Sequence, residues 1–301
     1  MRLTLLLLTC WLMPSAFSQI AQPNGGAVDT GDIPLRWMTG GPNCVELQDW
    51  EVHQFNPDFF IIRESGCTNY EKPFLYLIFG KERALLLDTG AGPANTAAIV
   101  AQVLGRWQQR NHRAGIQLMV AHSHGHGDHI SGDAQFRGKP GVTFVEPTVQ
   151  GATQAFAIEN WPQTNGIVDL GERLIDVIPL PGHEAAAVAF YDRKTSVLLT
   201  GDSLYPGRLY VRDWPVFAAS IQRLVTFTEG KIITYILGCH IEEARQPYLD
   251  YKVGTAYQPD EHSLALGRGE LLELNDGLKK LAGVPTRVAY RDFTIWPVER
   301  K

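Results

Sequence analysis

Between positions 124 and 129 the chain reads His124-Gly125-His126-Gly127-Asp128-His129, three imidazoles and a carboxylate with only glycine between them. Neutral imidazole and carboxylate are preferred ligands of zinc and similar divalent ions. Residues this close cannot all reach one ion from a straight strand or helix. On a tight turn, which Gly125 and Gly127 permit, they splay toward two neighbouring ions. A solvated histidine-rich loop is the plainer reading, but it leaves unexplained three residues of the same chemistry farther along.

Those residues are His183 in Leu180-Pro181-Gly182-His183, Asp202 in Leu199-Thr200-Gly201-Asp202 and His240 in Leu237-Gly238-Cys239-His240. Each follows an apolar run of strand length, at 174–180, 196–200 and 232–237, and the cluster itself follows 116–121. Such runs read as strands. Strand, turn and ligand thus recur four times, and ligands at strand ends converge when the strands lie side by side in one sheet.

With Asp88 in Leu87-Asp88-Thr89-Gly90, these motifs stand in the order of the metallo-β-lactamase superfamily, which the chain resembles over roughly residues 55–300. The resemblance implies an α/β fold, a four-layer αββα sandwich with the metal site at one edge of the sheets. It implies two divalent ions: His124, His126 and His183 hold one, Asp128, His129 and His240 the other, and Asp202 bridges them. Asp88 then buttresses the metal loop without binding metal. Zinc is the favoured ion, although the same nitrogen and oxygen ligands serve iron and manganese.

Two such ions about 3.5–4 Å apart lower the pKa of a shared water and polarise the group under attack. The expected activity is therefore hydrolysis by a metal-bound hydroxide of an ester, thioester, lactone or amide carbonyl, with Asp128 and Asp202 as the catalytic carboxylates. β-Lactam hydrolysis is the first alternative and phosphodiester hydrolysis the second. No GxSxG elbow suggests a serine mechanism. An Asp at 202, where several β-lactamase subclasses carry Cys or Ser, looks more like the glyoxalase II, lactonase and phosphodiesterase branches. Two readings lie outside hydrolysis. An iron persulfide dioxygenase uses essentially one site, and a non-catalytic metal-binding protein would need a broken ligand set. Tyr205, Arg208 and Tyr210, just after Asp202, are candidate substrate contacts: a tyrosine hydroxyl for an oxyanion, the guanidinium for a carboxylate. His122 reads as a packed residue or a support for the metal ligands.

Met1-Arg2, the apolar run Leu3–Met13 and small residues before a cut after Ser18 read as a secretory signal peptide. The run is too short to span a bilayer, which takes about 20 residues. The mature chain, 19–301, is expected to be one exported domain, periplasmic or secreted, with no stable membrane insertion. A net charge of −5 without a basic cluster points to a small-molecule substrate and away from nucleic acid. Cys44, Cys67 and Cys239 remain after cleavage. Cys44 and Cys67 are free to pair in an oxidising compartment, but sequence does not show that they are close. Cys239, next to His240, points the opposite way along an extended chain and reads as a buried structural thiol.

Residues 19–45 read as an irregular lead-in. Strands are expected at 59–63, 73–79, 83–87, 116–121, 142–145, 173–180, 187–191, 196–200, 232–237 and 286–296. Helices are expected at 93–109, 148–158, 214–228 and near 269–282.

Overall fold

The computed structural model describes residues 28–41, 44 and 48–298. The expected signal peptide lies outside them. The first sheet comprises β1 (Trp50–Asn56), β2 (Phe59–Glu64), β3 (Phe74–Phe79), β4 (Arg83–Leu87), β5 (Gln117–Ala121) and β6 (Val142–Phe144), paired in that order. The second runs β13 (Ala265–Leu266), β12 (Tyr235–Gly238), β10 (Val197–Gly201), β9 (Val188–Asp192), β8 (Leu174–Pro179) and β7 (Gly166–Asp169). A small third sheet joins β11 (Arg208–Val211), β15 (Thr294–Pro297) and β14 (Val288–Ala289).

Period-two alternation in β2 and β3 separates the layers. Phe59, Ile61, Phe74, Tyr76 and Ile78 face the second sheet and meet Ile175, Val177, Val188 and Phe190. Their neighbours Phe60, Ile62, Leu75 and Leu77 face outward and are covered by Val100, Val103 and Trp107 of α1 (Thr96–Arg110). On the other flank, Phe217, Ile221 and Leu224 of α4 (Trp214–Thr228) pack on Leu198 and Ile236. Leu271, Leu274 and Leu278 of α5 (Arg268–Lys280) complete that layer. Both sheets are therefore buried on two faces, which is why their strands read as continuous apolar runs rather than alternating ones. The four-layer αββα sandwich is the expected one.

Helix starts follow local chemistry. Asn95 accepts the Ala98 N–H at α1, and Asp213 accepts the Val216 N–H at α4, where Pro215 occupies the first turn. Thr148 does the same for Gly151 at α3 (Val149–Phe156).

Some details differ from the sequence reading. β1 is half-exposed at the edge of its sheet, so its mixed pattern does not announce a strand. The expected strand at 286–296 is two short strands, β14 and β15, that pair antiparallel. Cys44 and Cys67 form a disulfide.

Strand direction places the site. β4 and β5 are parallel neighbours, as are β10 and β12, and β8 runs the same way as β10 because both are antiparallel to β9. The C-terminal ends of all five strands therefore open on one edge. They come from two facing sheets, not one, and close ties join the sheets there. Val188 N–H donates to the Ser123 carbonyl and Phe74 N–H to the Cys239 carbonyl, at 2.9 and 2.8 Å.

Candidate metal centre

Each inward side chain sits just past a strand end. The cluster follows β5 and runs into a single helical turn, α2 (Gly127–Ile130), with His126 at its N-cap. Neither Gly125 nor Gly127 adopts a left-handed conformation, so the tight turn expected of them is instead a short loop capping a helix. The glycines that backbone geometry demands lie elsewhere. Gly182, before His183, has φ +133°, and a Cβ there would fall 2.4 Å from the Phe217 Cα. Gly201, before Asp202, has φ +52°, and its Cβ would meet the Ser123 Cβ at 2.7 Å.

The seven residues fall into two groups. His124 Nε2 lies 2.8 Å from His126 Nδ1, and His183 Nε2 lies 3.2 Å from the first and 3.0 Å from the second. His129 Nε2 and His240 Nε2 each lie 3.2 Å from Asp128 Oδ2 and 3.4 Å from one another. Asp202 stands between the groups. Its Oδ2 is 3.5 Å from His183 Nε2 and 3.9 Å from His124 Nε2. Its Oδ1 is 3.5 Å from His129 Nε2 and 3.4 Å from His240 Nε2.

The inward nitrogens are aimed by what holds the outward ones. His183 Nδ1 is 2.8 Å from the Tyr210 carbonyl and His240 Nδ1 is 2.9 Å from the Glu71 carbonyl. His129 Nδ1 meets Asp88 Oδ2 at 2.9 Å, and His124 Nδ1 meets Ser123 Oγ at 3.1 Å. Fixing one ring nitrogen sets which one is offered inward.

Electrostatics differ between the groups. Burial, reinforced by neighbouring imidazoles, holds His124 well below its ordinary pKa, brings His126 down to about 4 and lowers His183. Those three are neutral, the form that ligates. Burial also opposes charge on His129 and His240, but Asp128 and Asp202 outweigh it, raising His129 well above its usual range and His240 to about 9. The reciprocal effect overcomes burial at Asp128 and Asp202 and keeps both carboxylates ionised.

This donor set fits two cations. Three ring nitrogens face one another at hydrogen-bond distance without a proton donor between them, and buried Asp202 Oδ1 has no hydrogen-bond partner. Buried polar atoms are normally satisfied, and a metal ion in each group would satisfy these. Each group has its ligand atoms within 4.8 Å of one another.

Asp88 binds at the back of the cluster. Its Oδ1 accepts the Ser123 N–H at 2.7 Å, and its Oδ2 accepts the Ser123 hydroxyl at 2.8 Å and faces the His129 ring. Its partners are thus Ser123 and an imidazole, not a run of backbone N–H groups. It holds φ +66°, a left-handed conformation that Asp tolerates better than most residues. Cys239 is a buried thiol whose Sγ reaches Asp88 Oδ2 at 3.3 Å, and burial pushes its pKa up. His122 Nε2 pairs with Asp133 Oδ1 at 2.8 Å, away from the two groups.

The candidate substrate contacts separate. Arg208 is 3% exposed and its guanidinium is committed to Glu242, Asp250, the Tyr251 carbonyl and the Tyr210 hydroxyl. Buried and already held by two carboxylates, it is a poor partner for a substrate carboxylate, which corrects the expectation for it. Tyr205 borders the metal cavity but is also buried, and its hydroxyl is already donated to the Arg208 carbonyl. Tyr210 lines a cavity of about 670 Å³ with Asp128, Asp202, His240 and Trp296. Its oxygen accepts from Arg208 Nε at 3.0 Å, leaving the hydroxyl proton for another acceptor. Arg212, which the sequence reading passed over, lines the same cavity. Its only sequence signal was a place ten residues beyond Asp202.

Comparison with known proteins agrees with this geometry. Residues 72–274 match the family model described as Metallo-beta-lactamase superfamily. Human acyl-coenzyme A thioesterase MBLAC2 is 21% identical over 230 residues, covering 64% of this chain and 81% of the relative. A hydroxyacylglutathione hydrolase of Chelativorans sp. is 29% identical over 106 residues, covering 34% of this chain and 41% of the relative. Among solved structures, the metallo-β-lactamase FIM-1 from Pseudomonas aeruginosa superposes with a TM-score of 0.52 at 14% identity, covering 79% of this chain and 98% of its own. At that identity the likeness concerns the fold.

Proposed function

The chain belongs to the metallo-β-lactamase superfamily, and we propose that it is a binuclear metal-dependent hydrolase of carbonyl compounds, with zinc the favoured metal and thioesters the favoured class. The observation that carries the binuclear reading is Asp202, whose two oxygens face two separate ligand groups. The thioester preference draws support from relatives named as an acyl-coenzyme A thioesterase and a hydroxyacylglutathione hydrolase.

Bound in the two groups, the metal ions would supply an activated water and a Lewis acid for the carbonyl. His124, His126 and His183 would hold one ion, Asp128, His129 and His240 the other, and Asp202 would link them. Ionised Asp128, partly open to the cavity, accepts the proton of the attacking water. The Tyr210 hydroxyl, oriented by Arg208, donates toward the oxygen on which negative charge develops. Asp88 positions His129 and the Ser123 turn.

The apolar leader supports a site of action outside the cytoplasm, and the Cys44–Cys67 disulfide is in keeping with an oxidising compartment. Among the described residues no helix is long and apolar enough to cross a membrane. The reading is tested by assaying the zinc-loaded protein against thioesters, lactones, β-lactams and phosphodiesters. Turnover of thioesters or lactones above the others is expected. Turnover confined to phosphodiesters would overturn the carbonyl assignment.

A further inference from the structure

Lys72 lies in the turn before β3, 1% exposed and at φ +46°, a left-handed conformation uncommon for a residue with a Cβ. The acids whose charge reaches it are engaged elsewhere: Glu261 is held by Arg63, Glu242 by Arg208 and Glu71 by the Tyr70 hydroxyl. Burial, with the Arg63 charge adding to it, lowers the Lys72 pKa to about 8, so the amine is still charged at neutral pH. A charged amine is costly to bury unless its hydrogen bonds are made.

Backbone carbonyls make them. Lys72 Nζ donates to the Tyr70 carbonyl at 2.8 Å and to the Thr255 carbonyl at 3.1 Å. The peptide unit joining Tyr70 to Glu71 is thereby held on both sides, because its N–H donates to Asn69 Oδ1 at 2.9 Å. The next unit, joining Glu71 to Lys72, donates its N–H to the Asn69 carbonyl at 3.2 Å. Its own carbonyl faces His240 Nδ1 at 2.9 Å. The bond to Thr255 crosses to the loop after β12. Tyr70 and Glu71 from one segment and Val253 from the other line the metal cavity, and the amine ties the two segments together.

We propose that Lys72 is a positioning residue for the metal centre, its amine aiming the Glu71 carbonyl at His240. It thereby sets the affinity of the Asp128, His129 and His240 group for its ion. The other group is outside this control, because the outward nitrogens of His124 and His183 rest on Ser123 and the Tyr210 carbonyl. The assignment rests on the binuclear reading above.

The test measures zinc affinity by competition with a chromophoric chelator in two single-site backgrounds. His126→Ala leaves the Asp128, His129 and His240 group whole, and His240→Ala leaves the other. Lys72→Met keeps the stem and removes the donors. Affinity should fall about tenfold in the His126→Ala background, the low end for losing a partner that orients a ligand. In the His240→Ala background it should hold to within about twofold, as for independent sites. A residue that only supports the fold would move both alike. Equal losses, or no loss with His126→Ala, overturn the proposal. If Lys72→Met does not fold, Gly254→Val takes its place and is read in the same way. That position is exposed at φ +85°, so a β-branched residue strains the turn beside the Thr255 carbonyl without entering the interior.

Magnetic resonance of chelator-stripped protein with isotopically labelled histidine needs no ion. The His240 Nδ1 resonance should shift in Lys72→Met, while that of His183 stays in place. A His240 resonance that does not move overturns the proposal whatever the metal count. A shifted His240 in a protein that saturates at one ion refutes the binuclear reading and upholds the role of Lys72.

Discussion

Asp88 Oδ2 and His129 Nδ1 meet at 2.9 Å with both side chains sealed from solvent. The contact joins the end of β4 to α2 and turns His129 Nε2 toward Asp128 and Asp202. Because the same carboxylate also fixes Ser123, one side chain sets both ends of the His124–His129 segment. Asp88→Asn keeps an acceptor but removes the charge. Metal affinity should fall on the order of 10–100-fold, as for other residues that orient ligands, with activity partly restored by excess zinc. A folded variant that stays inactive at saturating zinc would make Asp88 a direct participant in the chemistry.

Asp202→Asn tests the bridge. In the proposed binuclear site its charge would offset repulsion between two divalent ions, so the amide should release one ion first and cut turnover by orders of magnitude. Metal titration followed by activity at each stoichiometry checks this. A variant that retains two ions and full turnover would remove Asp202 from the bridging role.

Arg208 separates architecture from substrate binding. Its side chain and that of Glu242 are 3% and 14% exposed, and they pair at 2.5 Å. Arg208→Met leaves half-buried Glu242 without its cation, which should cost about 3 kcal/mol by denaturant melting. Arg208→Met combined with Glu242→Gln should recover part of that loss. A stable Arg208→Met protein with only a raised KM would return Arg208 to the substrate.

Glu64 gives the fold a pH dependence. Burial raises its pKa from 4.5 to about 7, against the opposing pull of the Ala91 and Gly92 N–H groups. Because the folded pKa exceeds the unfolded one, the folded state holds the extra proton between these values. The associated stability is present below pH 4.5 and lost as pH rises through 7, a change on the order of 3 kcal/mol. Glu64→Gln should therefore gain on the parent protein between pH 5 and pH 8, with both measured in chelator. Parallel stability curves would contradict the assignment.

The candidate ligand residues were legible because the His124–His129 cluster and the isolated His183, Asp202 and His240 each follow an apolar run of strand length. Layering was legible where strands are buried on both faces. Edge strand β1 was not, since half its side chains see solvent. Nor were the fates of Arg208 and Tyr205, because sequence does not show that Glu242 folds back beneath them, 34 residues from Arg208 and 37 from Tyr205. His126 turning Nδ1 inward while His124 and His183 offer Nε2 is likewise set by tertiary contacts.

The number of metal ions the protein holds decides the binuclear proposal most directly. Purified chain, stripped with chelator and titrated with zinc, should bind close to two ions per molecule by elemental analysis. Hydrolysis should be lost on chelation and regained on reloading. Saturation at a single ion, with Asp128, His129 and His240 left unligated, would contradict the binuclear site.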